Sequence, residues 1–364
     1  MSTGSPLLSI CIPTFNRAEL LELCLSTVLP QLTAFQNEVE CVVSDNASSD
    51  RTPEILATFS AQYPFRISRN DVNIGIIANI TKCASELARG DFVLLIGDDD
   101  AMCAGAIKRI LETLRPIDAP DLVALNVGYL LRTERPTSVN ALGGVPATAV
   151  RILRYSPVNG IVKFDELLEG PSADFTASYS VVLRRSLWLK FFPSACFDAP
   201  FTSVRTTYPT GYITAKVMPG RPAAAISTPS IMIYEMPGSE YSWARYRAFN
   251  SLIHLTLLLR VFEANGIPRR TLRPYYLYQL SNRGSELGDL LWNRNSVGGF
   301  AGVIQFVWLF RWYPFRLLRM FIIAGNHPDA PALLAACSRK LIGLKQIFVK
   351  LAVPNKPPSQ GDAH

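Results

Sequence analysis

The chain has 364 residues, of which 49% are hydrophobic and 18% charged, and a formal charge of +7. That composition is too apolar for a disordered polymer, and the length suits one catalytic domain plus an appendage, because a single core stops growing near about 250–300 residues. Seven scattered cysteines lack the spacing of a disulfide framework, and His254, His327 and His364 are too dispersed for a zinc site.

Apolar runs alternate with helical periodicity from the start. Residues 8–12 read as a short strand ending in Pro13, Thr14, Phe15, Asn16 and Arg17. Asn16, with Glu19 three residues on, predicts a capped helix that buries Leu21, Leu25 and Val28. A second strand over residues 39–44 closes on Asp45-Asn46-Ala47-Ser48-Ser49-Asp50, and Asp50 is expected to cap the helix that follows. A third strand near residues 65–68 leads through Asn70 and Gly75 into a helix carrying Asn79, with Ile76, Ile80, Cys83 and Leu87 at helical spacing. Gly90 then opens a fourth strand, residues 92–96, followed by Gly97 and three acids, Asp98, Asp99 and Asp100. The β-α-β-α series predicts an α/β fold with a largely parallel sheet, and its polar clusters fall at strand carboxyl ends, where open sheets gather ligands.

Three adjacent carboxylates repel one another, so the turn makes sense where a cation neutralises them. Hard divalent cations such as Mn²⁺ or Mg²⁺ take carboxylate oxygens and keep positions for water and phosphate, which points to a diphosphate partner. A solvated acidic turn capping the next helix is the competing reading.

Ser9-Ile10-Cys11-Ile12-Pro13-Thr14-Phe15-Asn16-Arg17, Val43-Ser44-Asp45-Asn46-Ala47-Ser48-Ser49-Asp50, Asn73-Ile74-Gly75 with Asn79, and Leu95-Ile96-Gly97-Asp98-Asp99-Asp100 stand in the order of four family motifs. Together they resemble a family-2 glycosyltransferase of the GT-A fold, and the Gly-Asp-Asp-Asp form resembles its abequosyltransferase-like branch. The resemblance is strong over about residues 7–130 and thins through 170–245. It implies a GT-A nucleotide-diphospho-sugar transferase fold and an inverting transfer of a sugar from a nucleoside diphosphate sugar to an acceptor hydroxyl, assisted by a divalent cation. By similarity, Pro13, Thr14, Phe15 and Arg17 line the nucleotide pocket, Asp45 meets the base, Asp98 approaches the ribose and Asp100 coordinates metal on the diphosphate. From the residues themselves, a cation held by Asp98 and Asp100 would neutralise the leaving diphosphate, with Asp99 beside them in a lesser role. Asn79, on its helix, faces the pocket wall, and an exposed surface arginine is the alternative for Arg17.

Inversion also needs a group that takes the acceptor proton, and the wider family places it in an acidic pair. No Glu-Asp pair occurs here. Asp198 and Asp174 are the acids nearest that position and stand as candidate bases, with turn or capping roles as the alternative; Glu235 is a third candidate. A sugar nucleotidyltransferase would need a Gly-rich phosphate loop after the first strand, which residues 13–17 lack. A non-catalytic membrane scaffold that binds sugar nucleotides has the missing acidic pair as its support.

Residues 294–356 carry nine lysines and arginines against one acid, Asp329, interleaved with Phe300, Trp308, Trp312 and Phe315. The apolar run 297–310 is shorter than the roughly 20 residues of a membrane span and is followed by Arg311, Arg316 and Arg319, so an interfacial helix on an anionic bilayer is expected. Leu334, Cys337, Leu341, Leu344, Phe348 and Leu351 mark a second, basic amphipathic helix. Packing on the catalytic domain or on a second copy in a homo-oligomer is the alternative, and no nucleic-acid motif accompanies the charge. The expected division is a catalytic domain over 1–245, with a nucleotide-sugar half at about 7–130 and an acceptor half at 130–245, then a membrane-associating helical region over 246–353 and a disordered tail over 354–364. The unpaired cysteines and the absence of a cleavable signal point to a reducing cytoplasm. The resemblance and the charge together suggest a peripheral protein on the cytoplasmic face of the inner membrane. Its acceptor would be a polyprenyl-diphosphate-linked oligosaccharide of bacterial surface polysaccharide, O-antigen-like, synthesis.

Overall fold

Four apolar runs build the first half of the sheet: β1 (Leu8–Thr14), β2 (Val39–Asp45), β3 (Arg66–Arg69) and β4 (Phe92–Leu95). The computed structural model from which this follows describes residues 5–131, 150–153, 160–169, 178–235, 244–293 and 295–331. Asp174, the expected helix around residues 334–351 and the tail over 354–364 lie outside the described residues. The four strands pair in parallel in the order β3-β2-β1-β4, because each hands the chain to a helix that carries it back across the sheet. Those helices are α1 (Ala18–Leu32), α2 (Thr52–Ser60) and α3 (Ile76–Lys82), the last widening into a π-turn at Cys83–Leu87. Leu8, Ile10 and Ile12 alternate onto one face of β1 and bury against Leu21, Leu25 and Val28 of α1.

Two details differ from the sequence expectation. β1 continues through Pro13 to Thr14, since its ladder with β4 ends at Cys11–Leu95 and Pro13 has a strand neighbour on one side only. The start of α1 is not capped by Asn16, whose backbone is left-handed with φ of 52°. The cap comes instead from Asp50 in the next loop, whose Oδ2 accepts from the Ala18 N–H at 3.0 Å.

After the acids come β5 (Ala101–Met102), α4 (Ala106–Leu114), β6 (Leu122–Leu131), β7 (Val150–Leu153), β8 (Gly160–Lys163) and α5 (Phe164–Leu167). They are followed by β9 (Val181–Arg184), α6 (Arg185–Phe191), α7 (Val204–Thr207), α8 (Pro209–Val217) and β10 (Pro222–Glu235). The short β9 lies antiparallel between β4 and β6, so the sheet runs β3-β2-β1-β4-β9-β6-β10-β5, with β7 on β6 and β8 on β10. β10 pairs antiparallel with β5 and sets Met232 opposite Ala101, directly after the acidic turn.

The chain divides into two units: Met1–Tyr241 with Leu257–Tyr275, and Ser242–Thr256 with Tyr276–His364. In the first, Phe262 of α9 (Leu255–Ala264) stacks on Phe164 at 6.0 Å, and the Tyr275 hydroxyl of α10 (Arg269–Asn282) donates to Leu168 O at 3.0 Å. In the second, α11 (Gly284–Trp292), α12 (Gly299–Leu309) and α13 (Pro314–Ala324) bury Leu287, Leu290, Phe306, Phe310 and Met320. Gly284 is required there, because a Cβ would run into the Ile323 side chain of α13. Among the described residues no helix is long and apolar enough to cross a membrane. Cys11, Cys24, Cys41, Cys83, Cys103 and Cys196, the cysteines among those residues, are all free thiols.

Candidate active site

The loops at the carboxyl ends of β1, β2, β3 and β4 are tied to one another. Loop one meets loop two through Asn16 N–H to Ser48 Oγ (2.9 Å), Ser49 N–H to Asn16 Oδ1 (2.7 Å) and the Ala18–Asp50 bond. Asp50 Oδ1 also accepts from Thr52 N–H at 3.0 Å, so one carboxylate caps α2 as expected and α1 as well. Burial opposes its ionisation, but the bonds from Thr52 and Ala18 outweigh that and hold its carboxyl below the usual value.

Loop two meets loop three through an amide network. Asn46 Oδ1 accepts from Ile74 N–H and from Asn70 Nδ2, both at 2.9 Å, and its Nδ2 donates to Asn73 Oδ1 at 2.8 Å. Asn79 is buried on α3, where its Nδ2 donates to Ser44 O at 2.9 Å and its Oδ1 accepts from Ser44 Oγ at 2.7 Å and Asn70 Nδ2 at 3.1 Å. The Asn79 amide is thus engaged in holding β2 against α3. Asp45 is fully buried at the end of β2; its Oδ1 accepts from Ser48 N–H at 3.0 Å and its Oδ2 pairs with Arg69. Arg69, which sequence reasoning passed over, also donates to Ser48 O at 2.7 Å. The signal that could have found it is strand register, since Asp45 and Arg69 are neighbours across the β2–β3 ladder.

Loop one meets the acidic turn directly. Thr14 Oγ1 donates to Asp98 Oδ2 at 2.7 Å, and Arg17 Nη1 donates to Asp98 Oδ1 at 2.8 Å and Asp99 Oδ2 at 3.2 Å. Asp98 and Asp100 are buried, and Asp99 is half-buried. The turn closes so tightly that a Cβ on Gly97 would lie 2.6 Å from Asp99 Oδ1 and 2.8 Å from Asp100 Oδ2. Burial pushes the Asp98 carboxyl up to about 6 despite the Arg17 charge, with Asp99 adding to the rise. Burial, then the Asp99 and Asp98 charges, raise Asp100 well above the usual carboxylate range. Pro13 is half-buried beside Thr14, and Phe15 is exposed at the mouth with 40% of its surface accessible.

Of the candidate bases, Asp174 lies outside the described residues, and Asp198 is engaged away from these groups. Asp198 lies on the loop before α7 with its side chain 59% exposed, paired to Arg205 Nη1 at 3.1 Å. Arg205 in turn lies over the Phe192 ring at 4.6 Å, while α7 takes its cap from Ser203. Glu235 ends β10, three residues beyond the Met232–Ala101 pairing.

Residues 9–129, which carry all four loops, match the model described as "Glycosyl transferase family 2". This segment belongs to glycosyl transferase family 2. Among curated proteins, the chain is similar to "Abequosyltransferase RfbV" of Salmonella typhimurium, 40% identical over 109 residues, which are 29% of this chain and 32% of that protein. It is also similar to "Minor teichoic acid biosynthesis protein GgaA" of Bacillus subtilis, 26% identical over 128 residues, 33% of this chain and 28% of that protein. The chain spans about a third of the length of such relatives. Among solved structures, S. aureus TarS 1-349 in complex with UDP-GlcNAc superposes with a TM-score of 0.51 at 15% identity, covering 88% of this chain and 90% of that one. That likeness is one of fold, and it extends the GT-A-like architecture beyond the family-2 segment.

Proposed function

We propose that the chain is an inverting glycosyltransferase that moves a sugar from a nucleoside diphosphate sugar to an acceptor hydroxyl. The observation that carries this reading is the acidic turn of a family-2 segment, packed against Thr14 and Arg17 where four strand-end loops converge. Three carboxylates there share one guanidinium, and burial resists the ionisation of Asp98 and Asp100, a cost that a divalent cation would offset. Both oxygens of Asp98 are already held by Thr14 and Arg17, whereas Asp100 has no ion pair among the described residues. Nor do three His, Cys, Asp or Glu side chains converge as a metal cage among those residues. Such a partial donor set fits Mg²⁺ or Mn²⁺, which complete their shells with water and phosphate oxygens. Asp100 would be the principal protein ligand, with Asp98 second. When bound, the cation neutralises charge developing on the leaving diphosphate.

The remaining work falls to the chain's own groups. Arg17 fixes the Asp98 carboxylate and adds positive charge at the phosphate side of the crevice. Asp45 is fully buried with its oxygens held by Ser48 and Arg69, so it would have to part from Arg69 to accept a proton donor from the nucleobase edge, while Phe15 offers an exposed ring against which a base can stack. For the acceptor proton, the β5–β10 register supports Glu235, three residues or roughly 10 Å of strand from the residue facing Ala101. Asp198 is the second candidate and would first have to leave Arg205, while Asp174 lies outside the described residues. Glu235→Gln should lower turnover by about a hundredfold with donor affinity retained. The same result from Asp198→Asn, with Glu235→Gln fully active, would move the role to Asp198.

A lipid-linked saccharide acceptor at the cytoplasmic face of a bacterial membrane is the acceptor class that the basic, aromatic carboxyl-terminal region supports. Thermal-shift titration with each nucleoside diphosphate and Mn²⁺ tests donor recognition, because a ligand of the native state raises its melting temperature. One base should stabilise the protein in a metal-dependent manner. No shift with any of them would remove the reading.

A further inference from the structure

The second unit exposes a set of large apolar side chains that its core does not use. On α12, Phe300, Ile304 and Trp308 recur every fourth residue and are all exposed, while Gly302, Phe306 and Leu309 of the same helix are buried. At 100° per residue the exposed three occupy an arc of about 80°, opposite the buried ones. Trp312 follows in the connection at 73% exposure, and on α13 Phe315 (87%) and Leu318 are exposed while Leu317, Met320 and Ala324 are buried. Both helices therefore expose large apolar side chains on the outside while burying others inside, a pattern that water does not favour.

The charge carried by this segment itself is of one sign. Arg311 lies over the Trp308 ring at 4.5 Å and the Trp312 ring at 5.1 Å, holding both indoles beside a guanidinium. Arg316 and Arg319 are exposed on α13, and between residues 299 and 328 the sequence holds no acid. A membrane-water interface takes aromatic rings at the headgroup level, aliphatic chains just below and arginines at anionic phosphates. Each helix has 11 residues, about 16 Å, against a hydrocarbon core of about 30 Å, so the geometry is that of helices lying on the bilayer rather than crossing it. A protein partner would need acids placed opposite three separated arginines, whereas an anionic lipid surface supplies negative charge everywhere.

We infer that the exposed face of α12 and α13, bearing Phe300, Ile304, Trp308, Trp312, Phe315 and Leu318, inserts into the interfacial layer of an anionic phospholipid bilayer and is held there by Arg311, Arg316 and Arg319. This surface stands independently of the sugar-transfer reading, since none of its residues belongs to the donor crevice.

The test uses the full chain and vesicles of phosphatidylcholine with about a third phosphatidylglycerol. The intact protein should float with these vesicles at low salt, float less as salt rises, and not float with pure phosphatidylcholine. Arg311→Gln/Arg316→Gln/Arg319→Gln should weaken binding by roughly a hundredfold, about fivefold per arginine. Trp308→Ser/Trp312→Ser/Phe315→Ser should abolish it, with melting temperature unchanged because these side chains are exposed. Lipids brominated high on the acyl chain should quench the tryptophan fluorescence of the unmodified protein, a readout that needs no variant. Absence of flotation of the intact chain on anionic vesicles, or flotation of both variants like wild type, overturns the inference. So does a concentration-dependent dimer that the same substitutions dissociate, without vesicle binding, because the face would then be an interface between copies of this chain.

Discussion

Asp50→Ala should destabilise the first unit through two helices at once. One carboxylate accepts from Ala18 N–H at the start of α1 and from Thr52 N–H at the start of α2, each at 3.0 Å. A lost cap costs about 1 kcal/mol, so the pair is worth about 2 kcal/mol, and at about 2–4 °C per kcal/mol for a unit of this size the melting temperature should fall by roughly 4–8 °C. Asp50→Asn keeps a capping oxygen and should recover part of that. The bond also joins the loops after β1 and β2, which line the proposed donor crevice, so donor affinity should weaken in the Ala variant more than in the Asn variant. The Asp50 pKa lies below its ordinary 3.8, so the native state binds its proton less readily than the unfolded chain. Its stabilising effect is therefore full above that value and is lost as pH falls through the lower folded one. Differential scanning fluorimetry of the three proteins at neutral pH is the assay. A melting temperature for Asp50→Ala within about 1 °C of wild type would refute the shared cap, which predicts a several-degree fall.

Gly97→Ala should leave the fold largely intact but displace the Asp99 and Asp100 carboxylates, since its Cβ would stand 2.6 and 2.8 Å from their oxygens; metal-dependent nucleotide binding should fall while circular dichroism is unchanged. His254, buried beside Asn250, has its pKa lowered from 6.5 to about 4 by burial. The unfolded chain then binds the proton first, so stability should decline as pH drops from 6.5 towards 4, and His254→Gln should flatten that part of the pH–melting curve.

The family-2 segment was legible because each of its strands is an apolar run and each run ends in residues unfit for a sheet interior. Asp45, Asp98 and Asp100 announce themselves at the end of such runs, and the structure sets them at the ends of β2 and β4. What was hidden is tertiary. The exchange of caps between loops one and two turns on Asn16 adopting a left-handed backbone, which local spacing reads as an ordinary N-cap. The insertion of β9 between β4 and β6 rests on four residues nearly ninety positions downstream of β4, too short to signal a register. Sequence position offers Asp198 as a candidate base but not its partner, because the pair it makes with Arg205, with its side chain 59% exposed, is set by the fold. Glu235 gains its standing only from the pairing of a long strand with a two-residue one.

The most direct test of sugar transfer at the acidic turn is to follow nucleotide products while the stabilising nucleoside diphosphate sugar is incubated with Mn²⁺ and a lipid-linked saccharide acceptor. Wild type should release nucleoside diphosphate, dependent on acceptor and metal, and Asp100→Asn should abolish that release. Release of pyrophosphate from a nucleoside triphosphate instead, or unimpaired nucleoside diphosphate release by Asp100→Asn, would contradict it.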